Sequence, residues 1–286
     1  MLKKTSYGEV TEFKAARTIL GRPLYLTHFF FLKGLLIDTG PPCVSQEVIN
    51  TLKEYEIKKV VITHQHEDHT GNCSLIQKEL GVPIYANPGT ISFLADPPKN
   101  IQIYRKIMWG NAPRAEAGPL GNYITAGDYS LDVIHTGGHS KDHVCFFEPQ
   151  NRWLFSGDIY LGEKLTSFMD GEDIVEHLTG LQKLISLEPK ILFCGLKGRL
   201  EDGKQRLVNK YNSWWNLCCR VKELLDAGKS RSEIMAEVFE GETLFYYFSQ
   251  SNWGRRHMLD SILDNLDYFE KGYKKISLAG YGQFKQ

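Results

Sequence analysis

No run in the 286-residue chain is apolar for long enough to cross a bilayer. The most apolar early stretch, Leu24 to Ile37, is broken by His28 and Lys33. The opening MLKKTSYGEVTEF has basic residues but no apolar segment or cleavage site behind them, so no secretory leader is expected. An excess of either charge is missing too. The 34 basic residues balance 34 acidic ones, so no whole-protein field favours nucleic acid, although a local basic patch stays open. Cysteine is scarce: six residues, at 43, 73, 145, 194, 218 and 219, form no Cys-x-x-Cys pair and no regular framework. This argues for reduced, mostly buried thiols in a soluble cytoplasmic protein. Internal repeats, low-complexity linkers and any flavin-type domain are also absent.

The length allows one large core, or one core with a small appended subdomain. Over the first two hundred residues, short apolar runs alternate with helical patterns. Strands are expected at Leu24–Phe31, Gly34–Asp38, Val60–Thr63, Pro83–Ala86, Leu131–His135, Val144–Phe147, Trp153–Phe155 and Ile191–Phe193. Helices are expected after Ser45, from about Gly71 to Leu80 with a stop at Gly81, and from Glu172 to Leu187. The proline-bearing region Ala95–Asn122 reads as a long loop or loose helical insert bordering a site.

Past Leu200 the pattern is helical only. Leu207, Tyr211, Trp215, Cys218, Val221 and Leu225 recur at three- and four-residue intervals. Ser230 with Glu233 reads as a capping box, and a last helix from about Met258 should stop at Gly272. Residues 1–204 are expected to form one metal-binding domain, with 205–286 a helical extension packed on it.

The chemistry is concentrated between Val60 and Asn72, which read VVITHQHEDHTGN. An apolar strand ends at Thr63, and His64, His66, Asp68 and His69 follow within six residues. Imidazole and carboxylate are ligands for zinc, and also for iron or manganese. At a tight strand-to-helix turn, His64 and His66 can converge on one ion while Asp68 and His69 face a neighbouring position. Two further strand ends carry His139, in Thr136-Gly-Gly-His139-Ser140, and Asp158, in Trp153-Leu-Phe-Ser-Gly-Asp158.

Together with Leu35-Leu-Ile-Asp38-Thr-Gly40, these stretches resemble four of the five motifs of the metallo-β-lactamase superfamily, over roughly residues 20–205. The resemblance implies an α/β (α+β) fold, an αββα sandwich with the site at one edge of its two sheets. It implies that His64, His66 and His139 hold a first metal, that Asp68 and His69 serve a second, and that Asp158 bridges the two. Asp38 would orient the ligand loop from behind. The run Gly138-His139-Ser-Lys-Asp142-His143, the stretch after Asp158 and the helical tail resemble the subgroup of glyoxalase II relatives and the lactamase-like RNA endonuclease.

The fifth motif departs from the pattern. Where the family carries a histidine for metal 2, this chain reads Phe193-Cys194-Gly195-Leu196-Lys197-Gly198. A gapless alignment puts Leu196 at the histidine position and a one-residue slip puts Lys197 there; neither is a ligand at neutral pH. The expected cofactor is therefore Zn2+, as one or two ions, with iron or manganese as substitutes.

The expected activity is hydrolysis of an ester- or thioester-type small molecule by a metal-bound water. Asp68 would handle the water's proton, and Lys197 or His143 would steady developing negative charge. The alternatives are a phosphodiesterase or nuclease of the same fold, and a metal-binding protein with little hydrolytic activity. His257 is the one tail histidine that could replace the lost ligand, although a helix-start role is the more ordinary reading. His28, Tyr160 and Tyr123 are candidates to line the pocket, whereas His135, His177 and Cys73 are read as packing. No membrane partner is expected; nucleic acid is disfavoured, and the aromatic-rich tail leaves a homodimer open.

Overall fold

A strand whose consecutive residues are all apolar must be covered on both faces, and the central strands here are used in that way. The computed structural model describes residues 1–270. One sheet has seven strands, in the order Leu2–Tyr7, Val10–Ala15, Thr27–Leu32, Leu35–Ile37, Lys59–Val61, Ile84–Ala86 and Gly118–Pro119. The second has six, in the order Tyr123–Ala126, Tyr129–His135, Val144–Glu148, Trp153–Gly157, Ile191–Cys194 and Gly198–Leu200.

Side chains alternate between two destinations. Phe30, Leu32, Leu35, Ile37 and Val61 meet Val144, Phe146, Phe155, Ile191 and Phe193 in a core between the sheets. Phe29, Leu36, Val60 and Ile62 turn the other way, onto the helices Ser45–Leu52 and Cys73–Leu80. Cys145, Phe147, Leu154 and Leu192 turn outward from the second sheet, onto Ile174–Ser186 and Gly203–Asp226. The layers are therefore helix, sheet, sheet, helix.

Leu35–Ile37, Lys59–Val61 and Ile84–Ala86 run parallel, and so do Trp153–Gly157 and Ile191–Cys194. Their carboxyl ends release Asp38, Thr63, Asp158 and Gly195 at one edge of the sandwich. Crevices at such strand ends are where α/β folds place their chemistry.

Several elements differ from expectation. The hairpin of Leu2–Tyr7 with Val10–Ala15 was not foreseen, because LKKTSY is polar and its edge strand is largely exposed. The strand expected from Leu24 begins at Thr27, because the residues before it form a small hairpin, Thr18–Ile19 with Arg22–Pro23. The short strands Gly118–Pro119, Tyr123–Ala126 and Gly198–Leu200 are additional, while the region expected as a long loop or loose helical insert carries the helix Ile103–Met108. The helix expected from about Gly71 begins at Cys73 and stops at Gly81 as expected, and a separate one-turn helix, Glu67–Thr70, precedes it. A Cβ on Gly71 would lie 2.2 Å from Pro42 Cδ, so only glycine lets the chain turn there.

In the tail, Gly203–Asp226 runs unbroken and Ser230 with Glu233 forms the expected capping box. Trp214 and Trp215 are both buried; Trp214 donates to the Leu165 carbonyl and Trp215 stacks on Tyr211. The short helix Leu244–Phe248 was not foreseen, since it buries no residue fully and shows no helical stripe. The last helix divides into Arg255–Asp264 and Leu266–Glu270. Its expected stop at Gly272, and the extension beyond it to 286, lie outside the described residues.

Candidate metal centre

Asp38 organises the first half of the site from a left-handed backbone, φ 62°. Its Oδ1 accepts the Thr63 N–H at 2.8 Å, and its Oδ2 accepts the Thr63 hydroxyl at 2.8 Å. Oδ2 also lies 2.7 Å from Nδ1 of His69. With its proton directed to Asp38, the Thr63 hydroxyl oxygen is left to accept from Nδ1 of His64 at 3.0 Å. In their neutral forms, both rings then present a bare Nε2. Thr39 and Asn72 brace the same turn: the Thr39 hydroxyl donates to the His69 carbonyl and accepts the Asn72 N–H.

The second half is built the same way. Glu172 Oε1 lies 2.8 Å from Nδ1 of His139, so that nitrogen holds the proton and Nε2 is bare. Nε2 of His64 and Nε2 of His139 then lie 2.9 and 3.0 Å from Nδ1 of His66. One proton on His66 can satisfy only one of them, and the other contact sets lone pair against lone pair in a buried site. A cation among the three nitrogens removes that conflict. Next to it, His69 Nε2 lies 3.4 Å from Asp158 Oδ1 and 3.7 Å from Asp68 Oδ2. His69 Nε2 and Asp158 Oδ1 are both buried without a hydrogen-bond partner, which marks a place for an ion.

Two of the three potential ligand groups among the described residues are His64 with His66 and His139, and His64 with His69 and Asp158; the third is His139 with Glu172 and His177. In each, the ligand atoms lie within 4.8 Å of one another. Asp158 Oδ2 stands 3.8 Å from His139 Nε2, so the two oxygens of Asp158 face the two groups. Gly195 closes the second group, since a Cβ there would lie 2.3 Å from Asp158 Oδ1 and 2.8 Å from His69 Cε1.

Burial, reinforced by the other rings, pushes His64 and His66 well below the ordinary histidine range and keeps them neutral, as ligands must be. Burial also disfavours a charged His69, but Asp158, Asp38 and Asp68 outweigh it and raise that ring well above its usual value. For Asp68 burial dominates, and its carboxyl is pushed up to about 6. Thr27 donates to Asp68 Oδ2 at 3.1 Å.

The other expected residues fall in different places. His143 is fully buried and both its nitrogens are engaged: Nε2 accepts the Asp158 N–H at 3.1 Å, and Nδ1 lies 2.7 Å from the Thr136 hydroxyl. It therefore positions Asp158 and has no atom left for a substrate. Leu196 packs toward the tail core, whereas Lys197 is exposed in the cleft beside the site. His28 also lines that cleft and bonds Glu12 at 2.9 Å. Tyr160 belongs to the tail core, and Tyr123 is 64% exposed on the far sheet edge. His257 lies 2.6 Å from the Ser251 carbonyl and joins neither ligand group. His135 is exposed, and Cys73 is buried against Thr39.

Three residues escaped sequence reasoning. Glu172 links His139 to His177, whose Nε2 is 3.2 Å from Glu172 Oε2, so His177 belongs to the support of the centre. Nothing in the sequence distinguishes Glu172 from an ordinary acid at a helix start. Tyr25 has a hydroxyl that burial, and then the charges of Asp158 and Asp68, hold well above the usual phenol range, so it stays protonated beside them. Lys210 is fully buried in the tail helix and donates to the Tyr160 carbonyl at 2.5 Å.

The sequence profile described as the Metallo-beta-lactamase superfamily matches residues 32–195. The chain belongs to this superfamily. It is a metallo-hydrolase of that group. Among its relatives is a beta-lactamase-like protein 2 homolog of Caenorhabditis elegans, 29% identical over 212 residues, covering 71% of this chain and 64% of that protein. Another is an atrochrysone carboxyl ACP thioesterase of Aspergillus fumigatus, 27% identical over 184 residues, covering 60% of this chain and 50% of that protein. The chain thus matches between half and two thirds of the length of these two relatives. A beta-lactamase domain protein from Burkholderia ambifaria shares the fold, with a TM-score of 0.70 at 15% identity, covering 94% of this chain and 88% of that one. Among the described residues no helix is long and apolar enough to cross a membrane.

Proposed function

We propose that this superfamily member hydrolyses an ester or thioester of a small molecule, with zinc as its metal. The strong ion position would be His64, His66 and His139, and the weaker one His69, Asp68 and Asp158. The observation that carries the reading is the approach of the His64 and His139 Nε2 atoms to within 3.0 Å of His66 Nδ1, next to an orphaned His69–Asp158 pair. Three neutral imidazoles form a common catalytic zinc set, and mixed carboxylate–imidazole donors also admit iron or manganese. A divalent ion held there supplies an acidified water and Lewis-acid polarisation of the substrate oxygen.

The protein's own groups supply the rest. Asp68 would orient the water and take its proton, while Thr27 holds its Oδ2 in place at 3.1 Å. Tyr25 offers a protonated phenol toward negative charge developing on the substrate. Asp38, Glu172 and His143 hold the imidazoles and Asp158 in register. The fifth-motif change supports unequal ions, because neither Leu196 nor Lys197 donates to the second position. The thioesterase relative and the balanced charge favour an acyl substrate over a polynucleotide. Six unpaired cysteines favour a reducing, cytoplasmic setting. Residues 1–204 would be the metal-binding domain and 205–286 its helical extension.

The test is metal content per chain on protein purified without added metal, followed by turnover of an aryl ester and a thioester before and after chelation. Turnover that disappears with the metal and returns with zinc supports the reading. A metal-free protein that takes up no ion on titration sinks it.

A further inference from the structure

Beside the centre lies a cleft of about 420 Å³, lined by Lys14, Pro23, Leu24, Tyr25, Leu26, His28, Leu196 and Lys197. Three separate parts of the chain meet there: the Val10–Ala15 strand, residues 23–28, and the altered fifth motif. Leu196 follows Gly195, which abuts Asp158 and His69, and the Tyr25 hydroxyl senses Asp158 and Asp68. The cleft therefore adjoins the centre through Leu196, the neighbour of Gly195.

Its lining combines an apolar wall with two cations. Pro23, Leu24, Leu26 and Leu196 supply the wall. Lys14 and Lys197 supply the charge, and neither has a hydrogen-bond or salt-bridge partner among the described residues. The nearby acid is already engaged, since Glu12 bonds His28 through Oε1 and accepts the Arg199 N–H through Oε2. Elsewhere, lysines find acids readily, as Lys4 does with Glu54, Lys33 with Glu9 and Lys53 with Glu79. Two unmatched ammonium groups in a cleft with an apolar wall suit an anion joined to the reacting group by a short aliphatic chain.

We propose that this cleft is the substrate's recognition subsite. It takes an ester or thioester whose acyl chain ends in a carboxylate or phosphate, with Lys14 and Lys197 holding that terminal anion. This rests on the hydrolase reading above and specifies its substrate class. The loss of the fifth-motif histidine then has a counterpart: the loop that no longer offers a metal ligand presents a lysine to the substrate.

The experiment compares p-nitrophenyl hexanoate, mono-p-nitrophenyl adipate and the corresponding phosphonate-ended ester on the zinc-loaded protein. The corresponding non-hydrolysable anilides are titrated by calorimetry in parallel. The expected result is a preference of about tenfold or more in KM for the anionic esters over the neutral one, mirrored by the anilides. The carboxylate and phosphonate arms identify which anion is read. In K14M/K197M the anionic-to-neutral ratio should fall to about one, and in K14E/K197E an ammonium-ended ester should become the preferred one. Equal KM values and equal anilide binding for neutral and anionic probes would overturn the subsite while leaving the hydrolase reading intact. Selective anilide binding that depends on both lysines, with no ester turned over, would uphold the subsite and count against the hydrolase reading instead.

Discussion

Glu172 Oε1 lies 2.8 Å from Nδ1 of His139, and Oε2 of the same carboxylate lies 3.2 Å from His177. All three residues are buried, so the carboxylate fixes the face of His139 that looks at His66. Burial raises the Glu172 carboxyl, but His139 and His177 more than offset it and keep it ionised. Replacing Glu172 with glutamine keeps the shape but removes the charge that holds the proton on Nδ1. E172Q is expected to weaken metal binding by about 10- to 100-fold while the far-ultraviolet circular dichroism is retained. Titration with a competing chelator reads the affinity directly; unchanged affinity would show that Glu172 is only structural.

Gly195 gives a second prediction. Its missing side chain leaves room for Asp158 Oδ1 and His69 Cε1, which a Cβ would approach to 2.3 and 2.8 Å. G195A should therefore displace Asp158 and empty the weaker position first, lowering turnover by about 100-fold or more. Metal counting on the variant separates the two positions. Retention of the wild-type stoichiometry and rate would mean that Asp158 can move without consequence.

The fold was readable where burial alone shapes it. Val60 to Thr63, Val144 to Phe147 and Ile191 to Phe193 are apolar on both faces, and only a strand between two covered layers uses them fully. The Leu2–Tyr7 strand was not readable, because an exposed edge strand has no hydrophobic pattern to betray it. The same division runs through the site. His64, His66, Asp68 and His69 are adjacent in sequence and announce themselves, but Glu172, Tyr25 and Lys210 reach the centre or its supports only through the folded chain. His143 was misjudged for a related reason: it lies next to a motif, and only the folded structure shows both its nitrogens engaged.

Proton competition sets a third expectation. Asp158, Asp38 and Asp68 hold His69 well above the usual histidine range, so an ion entering at Nε2 must displace a proton. A proton is likewise displaced from Asp68 below its value of about 6. Affinity at the weaker position should accordingly rise with pH across the neutral range. At the His64, His66 and His139 position the competing proton is that of His139, whose hold on it burial lowers but Glu172 and Asp158 raise on balance, while His64 and His66 resist protonation. Isothermal titration in buffers of different ionisation enthalpy would count the released protons; release of none at neutral pH would refute the assignment of His69 to the second ion.

Lys210 allows a stability prediction independent of any metal. It is fully buried, donates to the Tyr160 carbonyl and sits 3.9 Å over the Trp214 ring. Burial nevertheless lowers its ammonium from 10.5 to about 7, against the weaker pull of Glu172. The unfolded chain thus binds more protons than the folded one between those two values, and folding gains stability as pH rises through that window. Below about 7 the full cost of the buried charge is present. Removing the charge in K210M should therefore help most in mild acid, less the loss of one hydrogen bond to Tyr160. Relative to the variant, the wild type should gain on the order of 3 kcal/mol between about pH 6 and pH 9. Urea unfolding at the two pH values measures that difference. A gap that stays constant would mean that Lys210 remains charged throughout, held by Tyr160 and Trp214.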